Sequence, residues 1–143
     1  MPFSSEAGKA SIAWALSRIP VPKTALDIGC GQGTYAKMFP KLQWTGVEIW
    51  EPYVEKYGLK DLYLSLQIAD AREWDTDEHF DVCFLGDVLE HMPADHAVNL
   101  VERAKRWADT VVISIPLGHY PQGEYDGNPY EAHVVDHWAD AQV

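Results

Sequence analysis

The chain has 143 residues, 47% of them hydrophobic, which suits one globular domain spanning 1–143 and leaves little room for a second. Its 22 acidic and 11 basic residues give a formal charge of −11, which disfavours nucleic acid as a partner, because phosphate neutralisation supplies most of that affinity. No apolar run approaches the roughly 18 residues of a membrane span, and residues 1–6 show no secretory pattern. Cys30 and Cys83 sit in or beside apolar strand-like segments and read as packing thiols of a cytoplasmic protein.

In chain order, Ser4 or Ser5 reads as the cap of a helix with an apolar face running to Leu16 and ending before Pro20. Thr24 to Ile28 reads as a short buried strand feeding Gly29-Cys30-Gly31-Gln32-Gly33, and Thr34 to Phe39 as the helix that follows. Trp44 to Ile49 is a second strand, and Glu51 to Tyr57 a second helix with Pro52 near its first position. Leu62 to Ile68 is a third strand; Phe80 to Leu85, apolar on both faces, is a fourth. Pro93 to Trp107 is a longer helix carrying Val98, Leu100, Val101, Ala104 and Trp107, and Thr110 to Ile115 a fifth strand closed by Pro116. Near-continuous apolar strands separated by helices imply a mostly parallel sheet covered on both faces. Right-handed crossovers then make a doubly wound α/β fold of about five strands. Such sheets bind ligands outside the carboxyl ends of their strands, so the chemistry is expected just after each one.

The glycine loop fits that expectation, since glycines let backbone approach a nucleotide-like ligand. Its spacing is Gly-x-Gly-x-Gly and not the Gly-x-Gly-x-x-Gly of the dinucleotide fingerprint. Asp27, two residues before Gly29, would repel a pyrophosphate and attract a cation. A nicotinamide-dependent oxidoreductase is therefore disfavoured. Glu48, about 20 residues further on, suits the hydroxyls of a ribose. Asp70, followed by Ala71, is placed to meet an adenine amino group after the third strand. Three acids at three successive strand ends describe a nucleoside site with a cationic tail.

Over Thr24 to Leu117 the chain resembles the class I S-adenosylmethionine-dependent methyltransferases. Asp27 to Gly33 resembles their first motif, Glu48 their ribose acid and Asp70 their adenine-side acid. Phe80-Asp81-Val82 with Gly86-Asp87-Val88-Leu89-Glu90-His91 resembles their fourth motif. The resemblance implies a Rossmann-like fold with S-adenosylmethionine as cofactor and S-adenosylhomocysteine as product. It implies cofactor contacts from Asp27, Gly29, Cys30, Gly31, Gly33, Glu48, Ile49, Asp70, Ala71 and Asp87. The expected reaction is methyl transfer to a small molecule, through oxygen by preference, with Asp87, His91 and His119 as catalytic candidates.

Two readings of Asp87-x-x-Glu90-His91 stay open. Some family members, small-RNA and quinone-precursor O-methyltransferases among them, hold a divalent metal in a similar cluster, to which His133 would add a ligand. In many others the Glu-His pair only packs and hydrogen-bonds the loop. His133 and His137, four apart, would share a helical face as a metal pair, or serve as caps or solvent-facing residues. His79 and His96 read as surface residues. The stretch Leu117 to Asn128, rich in Gly, Pro and Tyr, reads as a loop covering substrate, with Tyr120, Tyr125 and Tyr130 as stacking candidates or plain turn residues.

The sequence departs from the family pattern at its end. The 28 residues after Ile115 hold no obvious strand pair, and Asp136-His137-Trp138-Ala139 looks like a helix start. That fits a reduced or truncated form, either a working enzyme or a catalytically silent or partner-dependent cofactor-binding module. The fifth strand would then present an edge for a second copy to cover.

Overall fold

The structure, a computed structural model, describes residues 6–119, 121–135 and 137–138, and only the backbone of His119, His137 and Trp138. Its parallel strands are β1 (Thr24–Ile28), β2 (Gln43–Glu48), β3 (Ser65–Ile68), β4 (Phe80–Gly86) and β5 (Ala108–Ser114). They pair in the order β3-β2-β1-β4-β5, every pair parallel. Strand order reverses between β1 and β4, so their carboxyl ends flank the crevice where such sheets take ligands.

The period of two along each strand builds a core on both faces. On β4, Cys83 and Leu85 enter the cluster that holds Leu26, Ile28, Leu100 and Trp107. Val82 and Phe84 enter the opposite cluster with Ala25, Trp44 and Tyr53. Both faces are thus apolar, as the sequence reads. The longest helix, α5 (Ala94–Trp107), buries Ala97, Leu100, Ala104 and Trp107, a stripe at helical spacing. Val98 lies off that stripe and is 63% exposed.

The shorter helices depart from the sequence reading in detail. The first, α1 (Lys9–Leu16), begins after Gly8, while Ser4 and Ser5 lie outside the described residues. Leu16 is buried but Trp14 stands in solvent, so the apolar face is partial. Helices α2 (Thr34–Met38) and α3 (Pro52–Lys56) follow their strands as expected. The third strand is shorter than read, because Gly58 at φ 62° starts an extra helical turn, α4 (Leu59–Leu62), which buries Leu59.

After β5 the chain forms β6 (Gly118–His119), paired antiparallel with β7 (His137–Trp138) in a separate two-stranded ladder. The helix start read at 136–139 is corrected here: His137 and Trp138 are strand, Asp136 and Ala139 lying outside the described residues. His133 sits in irregular chain, so it shares no helical face with His137. Among the described residues the ladder does not join the main sheet, and β5 stands at its edge. No helix among the described residues is long and apolar enough to cross a membrane.

Candidate active site

One cleft opens at the carboxyl ends of the strands. Its first wall begins where β1 turns into the glycine loop. Gly29 (φ 74°) and Gly31 (φ 50°) adopt left-handed backbone, and a Cβ on Gly29 would lie 2.9 Å from Cγ2 of Val88. Glu48, the last residue of β2, is 4% exposed. Its Oε2 accepts the Gly31 N–H at 2.9 Å and its Oε1 the Trp50 N–H at 2.8 Å. Burial still wins over these bonds and pushes its carboxyl up to about 7. Asp70, just past β3, accepts from Arg72 Nε at 2.9 Å and Nη2 at 2.5 Å. That guanidinium holds Asp70 below the usual carboxylate range.

The second wall starts at Asp87, a non-glycine residue at φ 52° whose N–H donates to Ser114 O at 2.8 Å. Left-handed backbone is uncommon at a non-glycine residue, and Asp is among the types that adopt it most readily. A single 3₁₀ turn, Leu89–His91, follows. His91 Nδ1 donates to Ala132 O at 3.2 Å, and burial lowers the basicity of the ring. Glu90 is 1% exposed, is raised to about 8 by burial, and keeps one buried oxygen without a hydrogen-bond partner. Donor atoms of Glu90, His91 and His133 all lie within 4.8 Å of one another.

A strap, residues 121–135, crosses from one wall to the other. Toward α3, Glu131 accepts from Tyr53 Oη at 2.8 Å, and Asp126 pairs with Lys56. Toward the 3₁₀ turn, Val134 N and Val135 N donate to Glu90 O at 2.8 and 3.0 Å. Asn128, buried, starts a turn at Pro129–Glu131 by accepting from Tyr130 N at 3.0 Å. Of the stretch read as a covering loop, Leu117 to Asn128, Asn128 alone among the described residues lines the cleft, and the strap's other lining residues, Tyr130 and Glu131, lie beyond it.

Most sequence-predicted residues meet in this cleft. Gly29, Cys30, Gly31, Glu48, Ile49, Asp70, Ala71, Asp87 and His91 line it. Asp27 and Gly33 do not. Asp27, 2% exposed, points into the opposite side of the sheet, where Tyr63 Oη donates to it at 2.5 Å and burial raises it to about 6. Gly33 packs against Leu59 and Leu62. Of the four metal candidates, Glu90, His91 and His133 converge, while Asp87 stands outside that cluster. His119 lies in β6, its side chain outside the described residues. Tyr130 lines the cleft, Tyr125 does not, and Tyr120 is outside the described residues. His79, paired with Asp109 at 2.8 Å, and His96 are on the surface.

Sequence reasoning missed Tyr53, Arg72 and Glu131 in the lining. Arg72 had a local signal, two residues past Asp70. Tyr53 and Glu131 had none, because they are 78 positions apart.

A doubly wound parallel sheet with a glycine loop after β1 and a buried acid ending β2 defines the fold class, an α/β domain with its cleft at the strand switch point. Residues 25–110 match the methyltransferase domain family, and the chain belongs to it. A trans-aconitate 2-methyltransferase of Methylobacterium radiotolerans is 31% identical over 91 residues, covering 59% of this chain and 35% of that protein. The chain therefore spans about a third of that relative's length. The fold resembles the N-terminal domain of EvdMO1 with S-adenosylhomocysteine bound (TM-score 0.67, 17% identity, 93% of this chain and 65% of that one). It also resembles CalS10, an amino pentose methyltransferase of Micromonospora echinaspora (TM-score 0.63, 20% identity, 80% of this chain and 53% of that one).

Proposed function

We propose that the chain binds S-adenosylmethionine in this cleft and transfers its methyl group to a small-molecule acceptor, through an oxygen atom by preference. The observation that carries the reading is Glu48. Each of its oxygens takes one backbone N–H, which fixes the carboxylate and leaves lone pairs for a ribose diol, beside a glycine loop that no Cβ crowds. Bound there, the cofactor supplies an already activated methyl group. In this reading Asp70 and Arg72 would border the adenine and Asp87 with His91 the methyl group, all four lining the cleft. Alignment is then the main task of the protein. A neutral His91, its Nδ1 committed to Ala132 O, can take a hydroxyl proton at Nε2. The acidic cleft suits a cationic sulfonium, and a second dinucleotide phosphate has no basic partner in the lining except the already paired Arg72.

Calorimetric titration with S-adenosylhomocysteine, with NADH as control, tests this. Micromolar binding of the first alone is expected, and Glu48→Ala should weaken it by about a hundredfold, the loss of two charge-assisted bonds. Binding without methyl transfer to any acceptor would favour the silent, partner-dependent module.

A second reading concerns a metal, favoured by the convergence of Glu90, His91 and His133 around a buried carboxylate oxygen that lacks a partner. Two imidazoles and one carboxylate suit a divalent transition ion, and Ala132 O would orient His91 as ligating histidines usually are. Such an ion would bind an acceptor oxygen. Titration with Mn²⁺ followed by paramagnetic resonance should show one site, lost in Glu90→Gln. An unchanged titration in that variant returns His91 to the role of base.

A further inference from the structure

We propose that the free edge of β3 is an interface at which a second copy of the chain adds its own β3, antiparallel across a twofold axis at Leu66. Edge strands are usually guarded by a charge, a proline or a bulge, because their outward N–H and C=O groups invite pairing. The segment Leu64-Ser65-Leu66-Gln67-Ile68 has neither charge nor proline, and its register with β2 is unbroken. Among the described residues β3 pairs with β2 alone, and Leu64 and Ile68 are 80% and 47% exposed. The Leu64 N–H donates inward to Trp44 O at 2.8 Å, so alternation turns the N–H and C=O groups of Ser65 and Gln67 outward. The edge at β5 differs: Asp109 stands within that strand, and Ile113 is 38% exposed.

The pattern along β3 is self-complementary, as a twofold interface requires. With Leu66 opposite Leu66 of the second copy, Ser65 faces Gln67 and exchanges both backbone hydrogen bonds with it. Leu64 then faces Ile68 of the second copy, at a closely spaced pair without backbone bonds. Leu64, Leu66 and Ile68 share one side of the strand, so apolar cross-strand pairs line up there. All three line a groove whose far wall includes Val54 of α3. The rim of that groove is polarised. Lys60, in α4, precedes β3 and stands at its amino end. Glu51 follows β2, whose Glu48 is in register with Ile68, and so stands at the carboxyl end. An antiparallel second copy brings each Lys60 to the end that carries the other's Glu51, with Glu55 between them along α3. Hydrogen bonds, apolar pairs and rim charges are thus satisfied by one register.

Sedimentation velocity from micromolar to millimolar protein tests this. The chain should shift from monomer toward dimer across that range, as a small interface predicts. Ser65→Pro removes an outward N–H and keeps the pairing with β2, a change that the first residue of an edge strand tolerates. It should raise the dimer dissociation constant by about tenfold or more, the scale of the hydrogen bonds lost on both sides of the axis. Leu64→Lys should do the same, and because Leu64 stands in solvent in the monomer, the fold is untouched. Ile113→Lys, on β5, should leave the constant within about twofold. A mixture of Leu64→Cys and Ile68→Cys chains should cross-link on oxidation, since facing residues of a closely spaced pair lie about 4.5 Å apart between Cα atoms. Either variant alone should not, and the native Cys30 and Cys83 are buried. A monomer at every concentration overturns the proposal. So does a dimer that survives both Ser65→Pro and Leu64→Lys, or one that Ile113→Lys alone dissolves.

Discussion

Asp27 and Glu48 end neighbouring strands and are almost equally buried, at 2% and 4% exposure, but they face different surroundings. Glu48 is the last residue of β2 and turns into the cleft, where backbone N–H groups of the two flanking loops hold it. Asp27 stands one place before the last residue of β1, opposite Gly46 of β2. Strand alternation sends it to the face that holds Cys30 and Tyr63, and the Tyr63 hydroxyl is its side-chain donor. A strand's final residue can open toward ligand, whereas the penultimate one is committed to a face of the sheet. Both acids are raised by burial, to about 6 and about 7, so each ionises at a cost to the fold.

The sharpest way to break the comparison is to neutralise one acid. A carboxyl whose pKa is raised in the folded state adds stability below its unfolded value, and that stability is lost as pH rises through the folded value. For Asp27 the window runs from about 4 to about 6. Its ionisation therefore costs about 2 kcal/mol at pH 8 relative to pH 4, where the unfolded carboxyl is already partly ionised. Urea denaturation at both pH values should show Asp27→Asn losing about 2 kcal/mol less than the wild type across that interval. Glu48 supplies a second loss near pH 7, which the variant keeps. Equal pH dependence of the two proteins would mean that Asp27 is not buried as the structure has it.

The difference also shows what was legible in the sequence. The sheet, its two apolar faces and the glycine loop could be read because each is local, carried by alternation, a run of β-branched and aromatic residues, or a fixed spacing. Glu48 and Asp70 were readable as strand-end acids for the same reason, whereas Asp87 came from the family resemblance. The facing of Asp27 was not, because a displacement of one residue reverses it and strand ends are uncertain by about that much. Leu62 was read as strand because its helical turn depends on Gly58 and on burial of Leu59. The strap partners Tyr53 and Glu131 meet only through the fold, and neither residue type nor spacing announces the contact.

A smaller effect sharpens the comparison from the opposite side. A Cβ on Gly46 would lie 2.6 Å from Cys30 Sγ, 2.7 Å from Tyr63 Cδ1 and 2.9 Å from Leu66 Cδ1. Cys30 and Tyr63 are both buried, so neither can simply swing away. Gly46→Ala should therefore cost about 2 kcal/mol of stability, the usual scale for overpacking. The displaced ring is the one that donates to Asp27, and that bond is what lowers the Asp27 carboxyl against burial. The variant should accordingly lose more stability between pH 4 and pH 8 than the wild type. Glu48, two residues along β2, keeps its N–H partners from Gly31 and Trp50. Of the residues the new Cβ crowds, Cys30 also lines the cleft, so affinity for S-adenosylhomocysteine should fall, but by about threefold at most. A collapse of affinity together with stability would show that the two acids respond as one unit, and that the sheet face behind the cleft shapes the site as strongly as the residues that line it.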